Sequence, residues 1–171
     1  MNNRNQWSFP MLAVSLALCL PLLAQGEESA GAPAARNMTE MKFAAVPGLP
    51  TCASGSVQSG DPMTGPSIIL AKLATGCTIA WHWHTATENV MVAGGTGRIE
   101  MKGGKSETLK TGGFVALPSH HIHQFHCIKA CALFISSDAA FDIHYVDAKG
   151  TEITPDEALK AVKEKAASAM K

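Results

Sequence analysis

The run Gly76-Cys-Thr-Ile-Ala-Trp-His82-Trp-His84-Thr-Ala-Thr-Glu88-Asn-Val-Met-Val-Ala-Gly-Gly95 decides the fold. Its β-branched and aromatic residues predict two strands, over 77–84 and 88–93, joined by a three-residue turn. Residues two apart in a strand face the same way, so His82 and His84 project together while Trp81 and Trp83 take the opposite face. Glu88 opens the next strand and can swing its carboxylate back toward the imidazoles. Two nitrogens and an oxygen converge on one side of a sheet.

Downstream, Gly112-Gly-Phe-Val-Ala-Leu-Pro118-Ser-His-His-Ile-His123 puts a proline-stiffened turn before another histidine-bearing strand, and His123 supplies a fourth donor. Imidazoles suit first-row metals, a carboxylate offsets part of the charge, and four ligands in an octahedral shell leave two positions open. One divalent transition metal (Fe, Mn, Zn, Ni, Cu or Co) is therefore expected at His82, His84, Glu88 and His123. Glu88 is also a candidate catalytic base. His121, expected on the strand face of His123, is a second candidate acid or base. His126 falls on the opposite face and is read as structural, and His144 has no partner visible in sequence. Few other polar side chains are expected inside, Thr78, Cys127 and His121 at most, which suits an apolar or aromatic small-molecule ligand. Trp81 and Trp83 are expected to pack against a second sheet or a partner subunit.

Outward from these motifs, residues 41–148 break into runs of four to eight apolar residues bounded by Gly, Pro or Asp. About ten short strands are expected, at 56–58, 66–73, 77–84, 88–93, 97–101, 107–109, 114–117, 121–128, 131–136 and 142–146. That pattern predicts an all-β antiparallel sandwich or barrel. Beyond Gly150, Thr154-Pro155-Asp156-Glu157 is a capping box with proline at the first helical position, so a short C-terminal helix is expected within 151–171, fraying beyond Val162. Residues 25–40 carry little large apolar content and are expected to be a flexible tether. Residues 1–24 have a polar start with Arg4, an apolar run over 10–23 and a polar exit, the pattern of a secretory signal peptide.

The 171 residues carry 14 basic and 14 acidic side chains, so no cationic excess favours nucleic acid. No run reaches the roughly 18 apolar residues of a membrane-spanning helix, so no membrane association is expected after leader removal. There is no Gly-x-Ser-x-Gly elbow and no phosphate-cradling loop. Without the leader, Cys52, Cys77, Cys127 and Cys131 remain, an even set with three pairings open in an oxidising periplasmic or extracellular compartment. A hairpin at 127–131 would join Cys127 to Cys131 and leave Cys52 for Cys77.

Gly76, His82, His84, Glu88 and Gly95 match position for position the first motif of the cupin superfamily, and Gly112, Pro118 and His123 match its second; the chain resembles that superfamily over about 41–150. His120 replaces a motif glycine and Cys127 a motif asparagine. Val46-Pro-Gly-Leu-Pro, Gly60-Asp-Pro and Phe141-Asp-Ile-His-Tyr-Val look similar to small single-domain bacterial cupins, including the cupin domain of certain zinc-binding anti-sigma factors. The resemblance implies a double-stranded β-helix, jelly-roll-like barrel, with a metal held by His82, His84, Glu88 and His123, and a homodimer. It implies no single chemistry. The expected activity is a metal-dependent oxidoreductase of dioxygenase type acting on a small organic substrate; the alternative is a non-enzymatic metal- or ligand-binding sensor.

Overall fold

The computed structural model describes residues 35–168. The expected leader and most of the expected tether lie outside them. A single 3-10 turn, Met38–Glu40, capped at Asn37, precedes eight strands: β1 Ala53–Gly60, β2 Ser67–Leu73, β3 Thr78–Trp83, β4 Glu88–Met101, β5 Ser106–Lys110, β6 Phe114–Leu117, β7 His123–Ser137 and β8 His144–Tyr145. Helix α1, Pro155–Ser168, closes the chain. The end of the expected tether is already ordered against β1, where the Arg36 guanidinium donates to the Gln58 carbonyl at 3.1 Å.

The ten expected strands become eight because two pairs are continuous. Residues 88–93 and 97–101 are one strand, β4, and the expected 121–128, which begins only at His123, and 131–136 are one strand, β7. The Gly94-Gly95 pair, expected to be a turn, is a set of register shifts in the β4–β7 ladder. Bulges of this kind bend a strand without ending it. Gly95 has φ +84°, and a Cβ there would lie 2.0 Å from the Ala130 carbonyl oxygen, so only glycine passes.

All pairing is antiparallel, and the path β1-β2-β7-β3-β8 does not close on itself. Strands β4 and β7 run beside each other from Glu88↔Ser137 to Met101↔His123 and serve both layers of a sandwich. Their Glu88 and Ser137 ends pair with β6 and β2, and their Met101 and His123 ends with β5 and β3. Two cross-strand rows fill the interior: Ala71–Leu133–Val92 and Ile79–Phe125–Ile99, all nearly inaccessible to solvent. Apolar burial at roughly 25 cal/mol per Å2 makes such rows the main source of stability.

Disulfides join Cys52 to Cys77 and Cys127 to Cys131, the pairing expected from sequence, but 127–131 is not the expected hairpin, since both cysteines lie on the one strand β7. The first ties the entry to β1 to the entry to β3; the second staples two positions of β7. Helix α1 begins with the expected reciprocal cap, Glu157 N–H to Thr154 Oγ1 and Thr154 N–H to Glu157 Oε2. It continues past Val162 to Ser168, six residues further than its apolar content suggested, and Ala158 seats it in the core.

Candidate metal centre

The register of β3 on β7 decides which histidines face inward. Ile79 pairs with Phe125 and His82 with His123, three steps on β3 against two on β7, so β3 carries one extra residue at Ala80–Trp81. Simple alternation would put Thr78 inside and Ile79 outside. The bulge reverses that: Ile79 is buried, and Thr78 bonds His126 on the outer face at 2.8 Å. Beyond the bulge the alternation resumes, with His82 and His84 inside. Glu88 starts β4 and His123 starts β7, so four donors come from the ends of three strands, each 3–5% exposed.

One ring nitrogen from each of His82, His84 and His123 lies within 4.8 Å of the other two. Glu88 Oε2 stands 3.2 Å from His123 Nε2 and 3.5 Å from His84 Nε2. Each imidazole is held from behind by a backbone carbonyl at Nδ1: Ala80 for His82 at 2.6 Å, His121 for His123 at 2.9 Å, and Asp142 for His84. That contact fixes Nδ1 as the protonated nitrogen and leaves the Nε2 lone pair facing the centre. Burial, then the neighbouring His123 and His84, hold His82 well below the ordinary imidazole value. Burial also lowers His84, against opposing pulls from Glu88 and the Asp142 carbonyl. Both are thus kept in the neutral, metal-ligating form.

The donor set fits a cation. Glu88 Oε2 and His84 Nε2 are buried and have no hydrogen-bond partner. A carboxylate accepts only, and a neutral imidazole bonded at Nδ1 offers only a lone pair at Nε2, so acceptor faces acceptor. A divalent ion satisfies all of them at once, and three nitrogens with one oxygen is a set first-row metals take. Around these donors the chamber, about 70 Å3, is walled by hydrocarbon: Leu49, Val90, Leu117, Phe125, Phe141 and Ile143 among others.

His82, His84, Glu88 and His123 are brought together as the sequence predicts. His121 is not. It precedes β7 and is not among the residues lining the chamber; its carbonyl accepts from His123 Nδ1, and its own Nε2 is buried without a hydrogen-bond partner. Thr78 and Cys127 are also absent from the lining, the first turned out by the bulge and the second engaged with Cys131. Sequence reasoning missed Phe141, whose ring stacks on His84 at 4.4 Å, and Asp142, whose carbonyl holds His84. Neither carries a spacing signal, because both arrive from a loop between β7 and β8. That loop is tied down by Thr85 N–H to Asp142 Oδ1, Thr87 N–H to Asp138 Oδ1 and Phe141 N–H to the Pro62 carbonyl.

Behind the site, Trp83 faces outward and stacks on both His144, at 3.9 Å, and His120, at 4.5 Å. His144 does have partners: Glu152 Oε1 at 2.7 Å and Asp142 Oδ2 at 3.2 Å. Burial lowers its pKa, but these two hydrogen bonds outweigh it and the net shift is upward. His120 has φ +61°, a left-handed conformation where a motif glycine would stand. Its N–H donates to the His84 carbonyl at 2.8 Å, so the turn is pinned to the end of β3.

A family profile described as a cupin domain matches residues 69–136, which span both motifs. The β-domain has the cupin fold. Among solved structures, the polyketide cyclase RemF from Streptomyces resistomycificus is similar to this domain at 14% identity and TM-score 0.59, over 68% of this chain and 87% of that one. An RmlC-like cupin from Shewanella frigidimarina is similar at 13% identity and TM-score 0.52, over 61% and 88%. KdgF from Halomonas sp. is similar at 16% identity and TM-score 0.51, over 60% and 92%. At these identities the likeness concerns the fold. No curated protein sequence matches the chain.

Proposed function

We propose that this cupin is an exported, metal-dependent oxidoreductase of dioxygenase type that acts on a small apolar organic substrate. The observation carrying the proposal is the set of four buried donors, two with unpartnered acceptor atoms, in a chamber otherwise made of hydrocarbon. A divalent metal held by His82, His84, Glu88 and His123 would supply Lewis acidity and, where redox-active, a route for electrons between substrate and dioxygen. The chain's own contribution is positional. Three backbone carbonyls set the tautomers, the apolar wall excludes water, and Glu88 is the one group in the chamber able to take a proton from a substrate held beside it. His121 has no part in this reading.

The chamber volume of about 70 Å3 limits the substrate. It suits dioxygen or a few heavy atoms; a larger enol or phenol must displace Leu49, Phe141 or Ile143. That restriction favours the alternative of a sensing module, as in the cupin domains of anti-sigma factors, if no compound is turned over. Two disulfides support an oxidising compartment. An outward cross-strand row, Phe134–Met91–Phe114, with these three side chains 37%, 49% and 56% exposed, supports a homodimer through that face rather than through the tryptophans.

The test is elemental analysis of protein purified from the periplasm, followed by oxygen uptake with small enol and phenol compounds. The enzyme reading expects His82→Ala and Glu88→Ala to lose both metal and uptake. A metal-loaded wild type that consumes no oxygen with any compound, yet melts higher in the presence of one, would transfer the assignment to the sensor.

A further inference from the structure

The outer face of the sheet, away from the chamber, carries a second cavity. It lies between β3, β4 and β7 on one side and helix α1 on the other, and holds about 460 Å3, within the usual range for small-molecule sites. Its floor is low because small groups form it, Gly76 ahead of β3 and Thr78 and Ala80 on it. Trp81, outward beside the inward His82, forms one wall, and Ile153, Ala158 and Val162 roof it.

Half of the polar side chains in the lining are basic; the others are Thr78, Gln124 and Asp147. Arg98, His126 and Lys165 line the cavity. Arg98 gives its Nε to Glu100 at 3.0 Å, which leaves the two Nη groups. His126 uses Nδ1 on Thr78, leaving Nε2. Burial, then the nearby charge of Arg98, lowers His126 against an opposing pull from Glu100. The acid in the lining, Asp147, spends Oδ1 on the N–H groups of Lys149 and Thr151. A flat apolar wall, a hydrocarbon roof and, at one edge, the Arg98 Nη groups and the Lys165 ammonium, facing the carboxylates of Glu100 and Asp147, suit a ring bearing one negative group.

We infer that the groove beneath α1 is a binding site for an aromatic monocarboxylate, separate from the metal chamber. The aromatic body lies against Trp81 under α1, and the carboxylate meets Arg98 and Lys165.

The experiment is calorimetric titration of the full chain, disulfides intact, with 2-naphthoate and in parallel with 2-naphthylmethanol. The acid is expected to saturate and to bind about tenfold tighter than the alcohol, as one charge-assisted contact would give. Arg98→Ala and Lys165→Ala, both at exposed positions, should each weaken the acid about tenfold and leave the alcohol unchanged. Ala80→Leu should abolish binding by filling the floor, and His82→Ala should leave it intact. Failure of the acid to saturate by about 5 mM, equal affinity for acid and alcohol, or binding lost in His82→Ala but kept in Arg98→Ala and Lys165→Ala would each overturn the inference. The last would place the ligand in the metal chamber. None of these readouts depends on turnover, so they stand or fall apart from the proposed enzyme activity.

Discussion

Glu88→Gln is expected to stabilise the metal-free protein and weaken the metal-bound one. In the structure Glu88 Oε2 is buried without a hydrogen bond, 3.2 Å from His123 Nε2 and 3.5 Å from His84 Nε2, which is also unpartnered. An unsatisfied buried polar group costs about 1–3 kcal/mol. The isosteric amide turns an acceptor into a donor at the place where a lone pair waits, so one hydrogen bond relieves two orphaned atoms. For a domain of this size the gain corresponds to roughly 3–12 °C in melting temperature. With metal the sign inverts. A ligand at 100 times its Kd adds about 2.7 kcal/mol, and losing a charged ligand removes most of that increment. The assay is thermal unfolding by circular dichroism at pH 8, in chelator and in excess Co2+, for wild type and Glu88→Gln. Crossing curves are expected, with the variant higher in chelator and lower in Co2+. If the variant melts lower in chelator, the acceptor-against-acceptor argument fails. If Co2+ raises both proteins equally, Glu88 is not a ligand.

Burial keeps His82 and His84 below the ordinary imidazole value of 6.5 when folded, so the unfolded chain binds more protons beneath that pH; urea midpoints in chelator should hold above pH 6.5 and fall below it, with a slope of up to about 2.7 kcal/mol per pH unit from the two together. His144, whose pKa is raised, works in the opposite sense: its contribution is full below 6.5 and is lost as pH rises through its folded value, so His144→Asn should lower the midpoint in acid and remove a decline above pH 6.5, with the slope below 6.5 unchanged. Removing the Cys52–Cys77 bridge, which closes 25 residues, should cost about 3.5 kcal/mol by loop entropy, and removing Cys127–Cys131, which closes 4, about 2 kcal/mol; urea titration of the two double-serine variants should preserve that order. Met91→Asp with Phe114→Asp should convert a dimer to a monomer by light scattering, whereas an unchanged mass would reject the proposed face.

Most of the fold and the donor set was legible because it rests on local arithmetic. Strand punctuation, the capping box at Thr154 and the His82-x-His84 spacing are all properties of a few consecutive residues. Two of the differences share an origin, that bulges are invisible to a period of two. Gly94-Gly95 carries a turn's composition but sits inside β4, where Gly95 passes the Ala130 carbonyl, so two expected strands are one. Thr78 is expected inside, and alternation counted back from His82 agrees, but the extra residue at Ala80–Trp81 turns it out. Phe141 and Asp142 were out of reach for another reason. They meet His84 across 57 and 58 residues of chain, through a loop anchored by single hydrogen bonds at Thr85, Thr87 and Pro62, and nothing in their own spacing records that.

The same bulge links the two faces of β3. Ile79 and His82 are three residues apart, so a regular strand must place one of them outside; Ile79 is needed between Phe125 and the core, and His82 is needed opposite His123. Inserting one residue resolves the parity. It has a consequence on each side. Inside, the Ala80 carbonyl accepts from His82 Nδ1 and fixes the tautomer that leaves Nε2 for metal. Outside, Ala80 and Trp81 stand together instead of alternating, a small floor beside a large wall, which is the shape of the groove under α1. Chemistry inside the sandwich and recognition on its back therefore depend on one backbone irregularity, and a substitution that straightens β3 would disturb both without touching a ligand.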